Sequence, residues 1–333
     1  MSKSKDAKIS IIIPCLGGIE YIDRLFRALN EQTFVDFEII FINSQCENSN
    51  EIEEKVLEYS RLDLKVFSTT PLCPGDARNL GVLKSNTNMI AFLDIKTIPR
   101  NDWLQKIIEF RTLSNCDIVL GKFICKSEIK FQELVQAATF GNNPSDSLPG
   151  SLLSRELFND VGDFIHEARS GEDEEWLERI RNSKYRIGKM DHATLSYLGL
   201  PRSLVDLIKK WFFYSIKSAP INVANSQKGA YFFLMFLLLL YFFFNWNYIF
   251  TNDQWDQSPY FFPHINKIVW SIFFLIYVTF RGIFLPLTKG VSKGFLFPLN
   301  WFKLTIVGLV IDLSKFPGRI LGYLFFLKVK LIK

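Results

Sequence analysis

The chain predicts an α/β domain with a mostly parallel central sheet, followed by C-terminal membrane helices. Three observations carry this expectation. Short apolar runs, Lys8 to Pro14 (KISIIIP), Phe37 to Ile42 (FEIIFI) and Met89 to Leu93, alternate with helix-length segments, the pattern of parallel strands joined by crossovers. Tyr231 to Phe250 contains no charged residue, and a membrane span needs about 20 such positions. Charge divides the same way: residues 1–200 carry 24 Lys+Arg against 30 Asp+Glu, and residues 201–333 carry 15 against 4.

Within the first 200 residues, Lys8 to Pro14 reads as a buried strand, and Met89 to Leu93 is apolar throughout, which suits a strand covered on both faces. Tyr21, Leu25, Ala28 and Leu29 recur at helical spacing and predict a helix over one of those faces. Asn50 to Tyr59 is a polar helix, Leu64 to Phe67 a third strand, Asp76 to Lys84 a helix, Trp103 to Leu113 another, and Cys116 to Phe123 a further strand. Phe131 to Phe140 reads as helical. Residues 141–150, GNNPSDSLPG, read as a mobile connection, with Ser151 to Leu153 a short edge element after it. A last helix beginning near Glu172 places Asp173, Trp176, Leu177 and Ile180 on neighbouring turns.

Past residue 200, Lys209, Lys210 and Lys217 mix with Trp211, Phe212 and Phe213, an amphipathic approach to a bilayer over residues 201–229. Two transmembrane helices are expected within 230–288, the second being Ile268 to Leu285, with Arg281 near its end reaching the interface. Basic residues flank both runs, and the loop 251–266 holds two acids and no Lys or Arg, so the loop is expected outside and the catalytic domain on the cytoplasmic face. Residues 289–333 are basic and interrupted by Asp312, Pro317 and Gly318; they read as interfacial helices, or as a third span or re-entrant pair. The basic half meets anionic lipid rather than nucleic acid, because its charges border runs of Phe, Leu and Ile.

The five cysteines, Cys15, Cys46, Cys73, Cys116 and Cys125, show neither metal spacing nor a disulfide framework, and the polar start MSKSKDAK leads straight into a strand. Both features point to a reducing, cytoplasmic setting. The chemistry is expected where the apolar run Met89 to Leu93 gives way to Asp94 and Lys96, because α/β sheets bind ligands beyond the carboxyl ends of their strands.

ISIIIPC at 9–15, PGDARNLG at 74–81, FLDIKTIPRNDW at 92–103 and GEDEEW at 171–176 stand in an order that resembles the GT-A glycosyltransferases of family 2. The resemblance covers about residues 8–200, and the paired apolar runs resemble those of membrane-associated members. It implies a GT-A nucleotide-sugar-binding fold and inverting transfer of a sugar from a nucleotide-activated donor to a lipid-linked or surface-saccharide acceptor. On that resemblance Pro14, Asn43, Arg78, Asp94 and Lys96 are donor-side residues, Asp173 is the catalytic base, and Glu172 and Trp176 lie on the acceptor side.

The chain departs from the family pattern where a divalent metal is expected. Asp94-Ile95-Lys96 has Lys in place of the second acid of D-x-D, and Asn43 stands where an acid is common. Mg²⁺ and Mn²⁺ want oxygen ligands, so a metal is in doubt, with Asp94 a possible ligand and Lys96 a direct counter-charge for a leaving diphosphate. Blander readings stand beside these. Lys96 is then a solvated turn lysine, Arg78 a partner of Asp76, Trp176 a core residue, Asp173 a solvated helix-start acid, and His166 and His192 loop residues. A catalytically weak binding or scaffolding member of a glycan-assembly complex is the alternative function, and a transporter is disfavoured by the large polar half.

Overall fold

The computed structural model describes residues 9–44, 49–219, 221 and 264–332. The first expected span, Tyr231 to Phe250, and most of the loop 251–266 lie outside them.

The apolar runs become strands buried on both faces. In β1 (Ile9–Cys15), Ile11 and Ile13 pack with Ile39, Phe41 and Ala91 on one side, while Ile12 packs with Ile40, Ile90 and Phe92 on the other. β2 (Phe37–Asn43), β3 (Asp63–Ser68) and β4 (Met89–Phe92) complete a parallel set in the order β3-β2-β1-β4. Helices α1 (Ile19–Asn30), α2 (Ser49–Leu57), α3 (Pro74–Lys84) and α4 (Trp103–Ser114) supply the crossovers. The phases of Tyr21, Leu25 and Leu29 on α1 put all three in the core, as the spacing predicts.

Beyond β4 the sheet is mixed, which corrects the expectation of a mostly parallel one. β6 (Ile118–Cys125) and β7 (Ser145–Ser154) pair antiparallel, and β7 also runs antiparallel to β4. The ten-residue β7 therefore occupies the middle of the sheet, where the sequence suggests a mobile connection and a short edge element. Its Gly, Pro and Ser residues disguise the strand, and Gly150 is used for close packing: a Cβ there would lie 2.3 Å from Leu195. β5 (Thr97–Pro99) pairs antiparallel with β9 (Leu195–Tyr197), and β8 (Ile187–Lys189) and β9 both run parallel to β6. Helices α5 (Lys130–Thr139), α6 (Arg155–Val161) and α7 (Glu172–Arg181) complete this half.

Beyond Ser203 the described elements are all helices. α8 (Leu204–Ser218) is capped by the Ser203 hydroxyl, which accepts from the Asp206 N–H. α9 (His264–Thr279) continues through a π-helical turn, Phe280–Phe284, into α10 (Leu285–Thr288); α11 (Lys293–Leu296) and α12 (Asn300–Ile332) follow. α12 runs 33 residues without a break through Pro317, where the sequence suggests an interruption or a fold-back. It lies against α8 at two glycines. A Cβ at Gly318 would sit 2.6 Å from the Phe212 carbonyl oxygen, and one at Gly322 would sit 2.4 Å from that of Ile216, so only hydrogen fits at either point.

Arg281 does not reach outward from the helix end. It turns inward to Asp312 of α12, which also accepts from the Tyr277 hydroxyl at 2.9 Å. An acid one helix away gives the guanidinium a partner that a lone span would lack. Ser271–Thr288 is the one stretch among the described residues that is long and apolar enough to cross a membrane, and little of it is buried within the protein.

Candidate active site

The strand order turns at β1, with β2 on one side and β4 on the other, so the loops leaving their carboxyl ends splay apart and open a crevice. A cavity of about 550 Å³ occupies it, lined by Pro14, Ser44, Arg78, Asp94, Lys96 and Asp173 among others. Seven stretches of the chain meet there: the ends of β1, β2, β4 and β9, the first turns of α3 and α7, and α8.

Asp94 stands two residues past the end of β4. The turn that presents it is tied by Thr97, whose hydroxyl bonds to the Asp94 carbonyl at 2.6 Å and whose N–H donates to the same oxygen at 2.9 Å. Lys96 then projects into the cavity with its Nζ 5.4 Å from the Tyr21 ring centre, a cation held over an aromatic face.

Asp173 comes from the start of α7. Gly171, the residue before that helix, has φ +84°, a left-handed conformation that costs glycine nothing and other residues about 1–2 kcal/mol. The turn it makes sends Glu172 inward and sets Asp173 on the cavity wall. Burial holds the Asp173 carboxyl above its ordinary value, opposed by Arg78 and reinforced by the nearby Asp94 and Glu174.

Arg78 bridges the two halves of the site. Its Nη2 donates to Asp94 Oδ1 at 2.8 Å and its Nη1 to Glu172 Oε1 at 3.0 Å. The guanidinium is almost wholly buried, and both carboxylates hold it in the charged form. It does not pair with Asp76. That carboxylate instead meets His166 Nδ1 at 2.7 Å and the Glu167 N–H at 3.0 Å, anchoring the loop before α7.

Of three further expected site residues, Trp176 and Asn43 lie outside the cavity lining, and Glu172 is engaged by Arg78. Trp176, expected on the acceptor side, is wholly inaccessible, packed against Phe92, Phe158 and Phe164 with its Nε1 donating to the Gly162 carbonyl. No ligand can reach it. Glu172, also expected on the acceptor side, touches the cavity wall but spends its carboxylate on Arg78. Asn43 at the end of β2 is fully buried and not part of the cavity lining. Its amide donates to the Ser49 hydroxyl at 2.8 Å and to Glu53 Oε1 at 3.1 Å, closing the start of α2 onto the strand. Pro14 lines the cavity.

The structure adds residues that the sequence reading did not place here: Ser44, Arg169, Tyr197, Lys210 and Tyr214. The Ser44 hydroxyl is buried with no hydrogen-bond partner among the described residues. Lys210 reads in sequence as one of several basic residues approaching a bilayer. In the fold its Nζ turns inward from α8, donating to the Gly199 carbonyl at 2.8 Å and the Tyr197 hydroxyl at 3.2 Å. Burial and the neighbouring Lys96 lower Lys210 to about 8. Helical periodicity alone does not distinguish it from Lys209.

Residues 10–171 match Glycosyl transferase family 2, a match that ends just before Asp173. Over 180 residues the chain is 27% identical to an uncharacterized glycosyltransferase of Rickettsia bellii, covering 51% of this chain and 26% of that protein. Over 179 residues it is 26% identical to a pre-mycofactocin glycosyltransferase of Mycobacterium tuberculosis, covering 47% and 36%. The chain thus spans about a quarter to about a third of the length of these relatives. A crystal structure of S. aureus TarS 1-349 in complex with UDP-GlcNAc is similar at 17% identity and a TM-score of 0.47, covering 94% of this chain and 90% of that one. Residues 10–171, which hold the crevice at the turning point of the sheet, are thus similar to a glycosyltransferase family 2 domain.

Proposed function

We propose that the protein is an inverting glycosyltransferase that moves a sugar from a nucleotide-sugar donor to a lipid-linked or surface-saccharide acceptor at a membrane. The observation that carries this reading is the meeting of Asp94, Lys96 and Asp173 on one cavity at the turning point of the sheet.

In the reaction, an acceptor hydroxyl attacks the anomeric carbon from the face opposite the diphosphate. The new carbon–oxygen bond forms as the bond to the diphosphate breaks, and the bonding pair leaves on the diphosphate oxygen. Asp173 takes the hydroxyl proton. Its raised pKa suits this role, because a stronger base still ionised at working pH transfers protons more effectively. Asp94, oriented by Arg78 and the Thr97 turn, positions the donor. Ser44 offers an unspent buried hydroxyl toward the nucleotide. Glu172 acts indirectly, by holding Arg78 in place.

Membrane association is supported by the exposed apolar residues of the C-terminal helices, including Phe273, Phe274 and Leu275 on α9 and Phe302, Ile306 and Leu313 on α12. The basic flanks support a catalytic domain on the cytoplasmic face, against anionic lipid. Tyr214 lines the cavity from the same α8 that packs on α12, which favours an acceptor arriving from the membrane side.

The test is transfer by the purified, detergent-solubilised full chain, screened against nucleotide sugars with lipid-linked and soluble saccharide acceptors. Acceptor-dependent release of nucleoside diphosphate is expected, with the anomeric configuration inverted in the product. Donor binding without turnover on any acceptor would favour the scaffolding alternative.

A further inference from the structure

We infer that Lys96 and Lys210 form a two-ammonium anion site that holds the donor diphosphate in place of a divalent cation. This rests on the glycosyl-transfer reading above and concerns how the same cavity meets its substrate.

The carboxylates suit a metal poorly. A Mg²⁺ or Mn²⁺ ion needs several oxygen ligands free to turn toward it. Asp94 Oδ1 already accepts from Arg78, Glu172 is tied to the same guanidinium, and the position two residues beyond Asp94 is an ammonium. No three His, Cys, Asp or Glu side chains gather as a metal site among the described residues.

The cations suit a diphosphate well. Lys96 and Lys210 both line the cavity, and neither has an acidic partner within ion-pair distance among the described residues. Each Nζ lies 5.4 Å from a tyrosine ring centre, Lys96 over Tyr21 and Lys210 over Tyr197. Backbone pairing joins the Lys96 turn to the strand that carries Tyr197: Thr97 is paired with Tyr197, and the Leu198 N–H donates to the Lys96 carbonyl at 2.9 Å. The aromatic faces and the sheet thus fix both ammonium groups without neutralising them.

Lys210 uses two of its three N–H donors on Gly199 and Tyr197. The third is available to a ligand. A buried ammonium beside a second ammonium is costly without an anion, and its lowered pKa expresses that cost. A diphosphate supplies the missing charge, and more of it as the carbon–oxygen bond breaks, so the pair favours the transition state over the bound donor.

Calorimetric titration of the full chain with inorganic pyrophosphate, in EDTA and then in Mn²⁺, tests the site apart from any sugar chemistry. Affinity in EDTA is expected to match that in Mn²⁺ within about twofold. Lys96→Met and Lys210→Gln should each weaken it about 10-fold or more. Gln keeps a donor for the Gly199 carbonyl, so a loss there reports charge rather than misfolding; thermal unfolding checks this. Lys84→Met, at an exposed lysine over Phe67 outside the cavity, should change nothing. Binding that EDTA abolishes and Mn²⁺ restores, or wild-type affinity in both folded lysine variants, overturns the proposal. Charge-dependent pyrophosphate binding in a protein that turns over no sugar nucleotide would leave the site standing and remove the transferase reading instead.

Discussion

Arg78 and Glu172 form a nearly inaccessible ion pair, 3.0 Å apart, between α3 and α7, across 94 positions of chain. The same guanidinium reaches Asp94, so one buried cation sets the spacing between the proposed donor acid and the residue beside the proposed base. Removing one member of a buried pair leaves an uncompensated charge, whereas removing both costs less.

Arg78→Met should therefore destabilise the domain by about 3–5 kcal/mol. Arg78→Met combined with Glu172→Gln should recover part of that loss while leaving transfer low, because Asp94 has lost its orienting partner. Chemical unfolding of both variants beside transfer rates checks this; an additive loss in the double variant would show that the pair is not coupled.

Asp173→Asn retains the shape of the cavity wall and removes basicity. Turnover should drop about 10²–10⁴-fold with donor binding retained. Glu172→Gln should show the reverse balance, with a clear loss of stability and a smaller loss of rate. Measuring donor affinity, rate and unfolding for both variants assigns the base: a collapse in rate confined to Glu172→Gln would move it there.

The rate should fall on both sides of neutrality. Asp173 must be ionised to accept a proton, and its pKa is raised, so the acid limb should lie above the ordinary aspartate value of about 3.9. Arg78, Asp94, Glu172 and Glu174 are the charged groups around it. Lys210 loses its charge as pH rises through about 8, so donor affinity should weaken there. Lys210→Gln should remove the alkaline limb and leave the acid one. A wild-type profile in that variant would detach Lys210 from the donor.

Trp176→Phe should lower stability without changing the acceptor KM, and Trp176→Ala should cost about 3–5 kcal/mol. The ring is packed in an aromatic cluster, its centre 4.9 Å from that of Phe164. A selective rise in acceptor KM for the Phe variant, at unchanged stability, would return Trp176 to the acceptor side.

Gly322→Leu should push α12 off α8, since even a Cβ meets the Ile216 carbonyl oxygen at 2.4 Å. Overpacking of this kind costs about 1–3 kcal/mol. Because α8 also carries Lys210, pyrophosphate affinity should fall with it. Cysteine cross-linking between the two helices, compared with calorimetry, reads both effects.

Local pattern accounts for much of what the chain becomes. The largely apolar runs of β1, β2 and β4 specify strands buried on two faces, because no regular polar alternation faces water; the polar residues Ser10 and Glu38 bond to each other inside. The helical phase of Tyr21, Leu25 and Leu29 specifies which side of α1 is core. The abrupt change at Asp94 and the Gly171 turn before Asp173 mark both ends of the site, since a short-range change of polarity or backbone is visible within a few residues. Tertiary structure decided the rest. Whether Arg78 answers Asp76 or Glu172, whether Trp176 faces a ligand or Phe164, whether Lys210 meets a bilayer or a cavity, and whether the glycine-rich segment before Ser154 is a loop or a central strand all depend on partners far along the chain. Charge pairing, aromatic packing and strand pairing act through space, and only the closed sheet brings those partners within their few ångströms of reach.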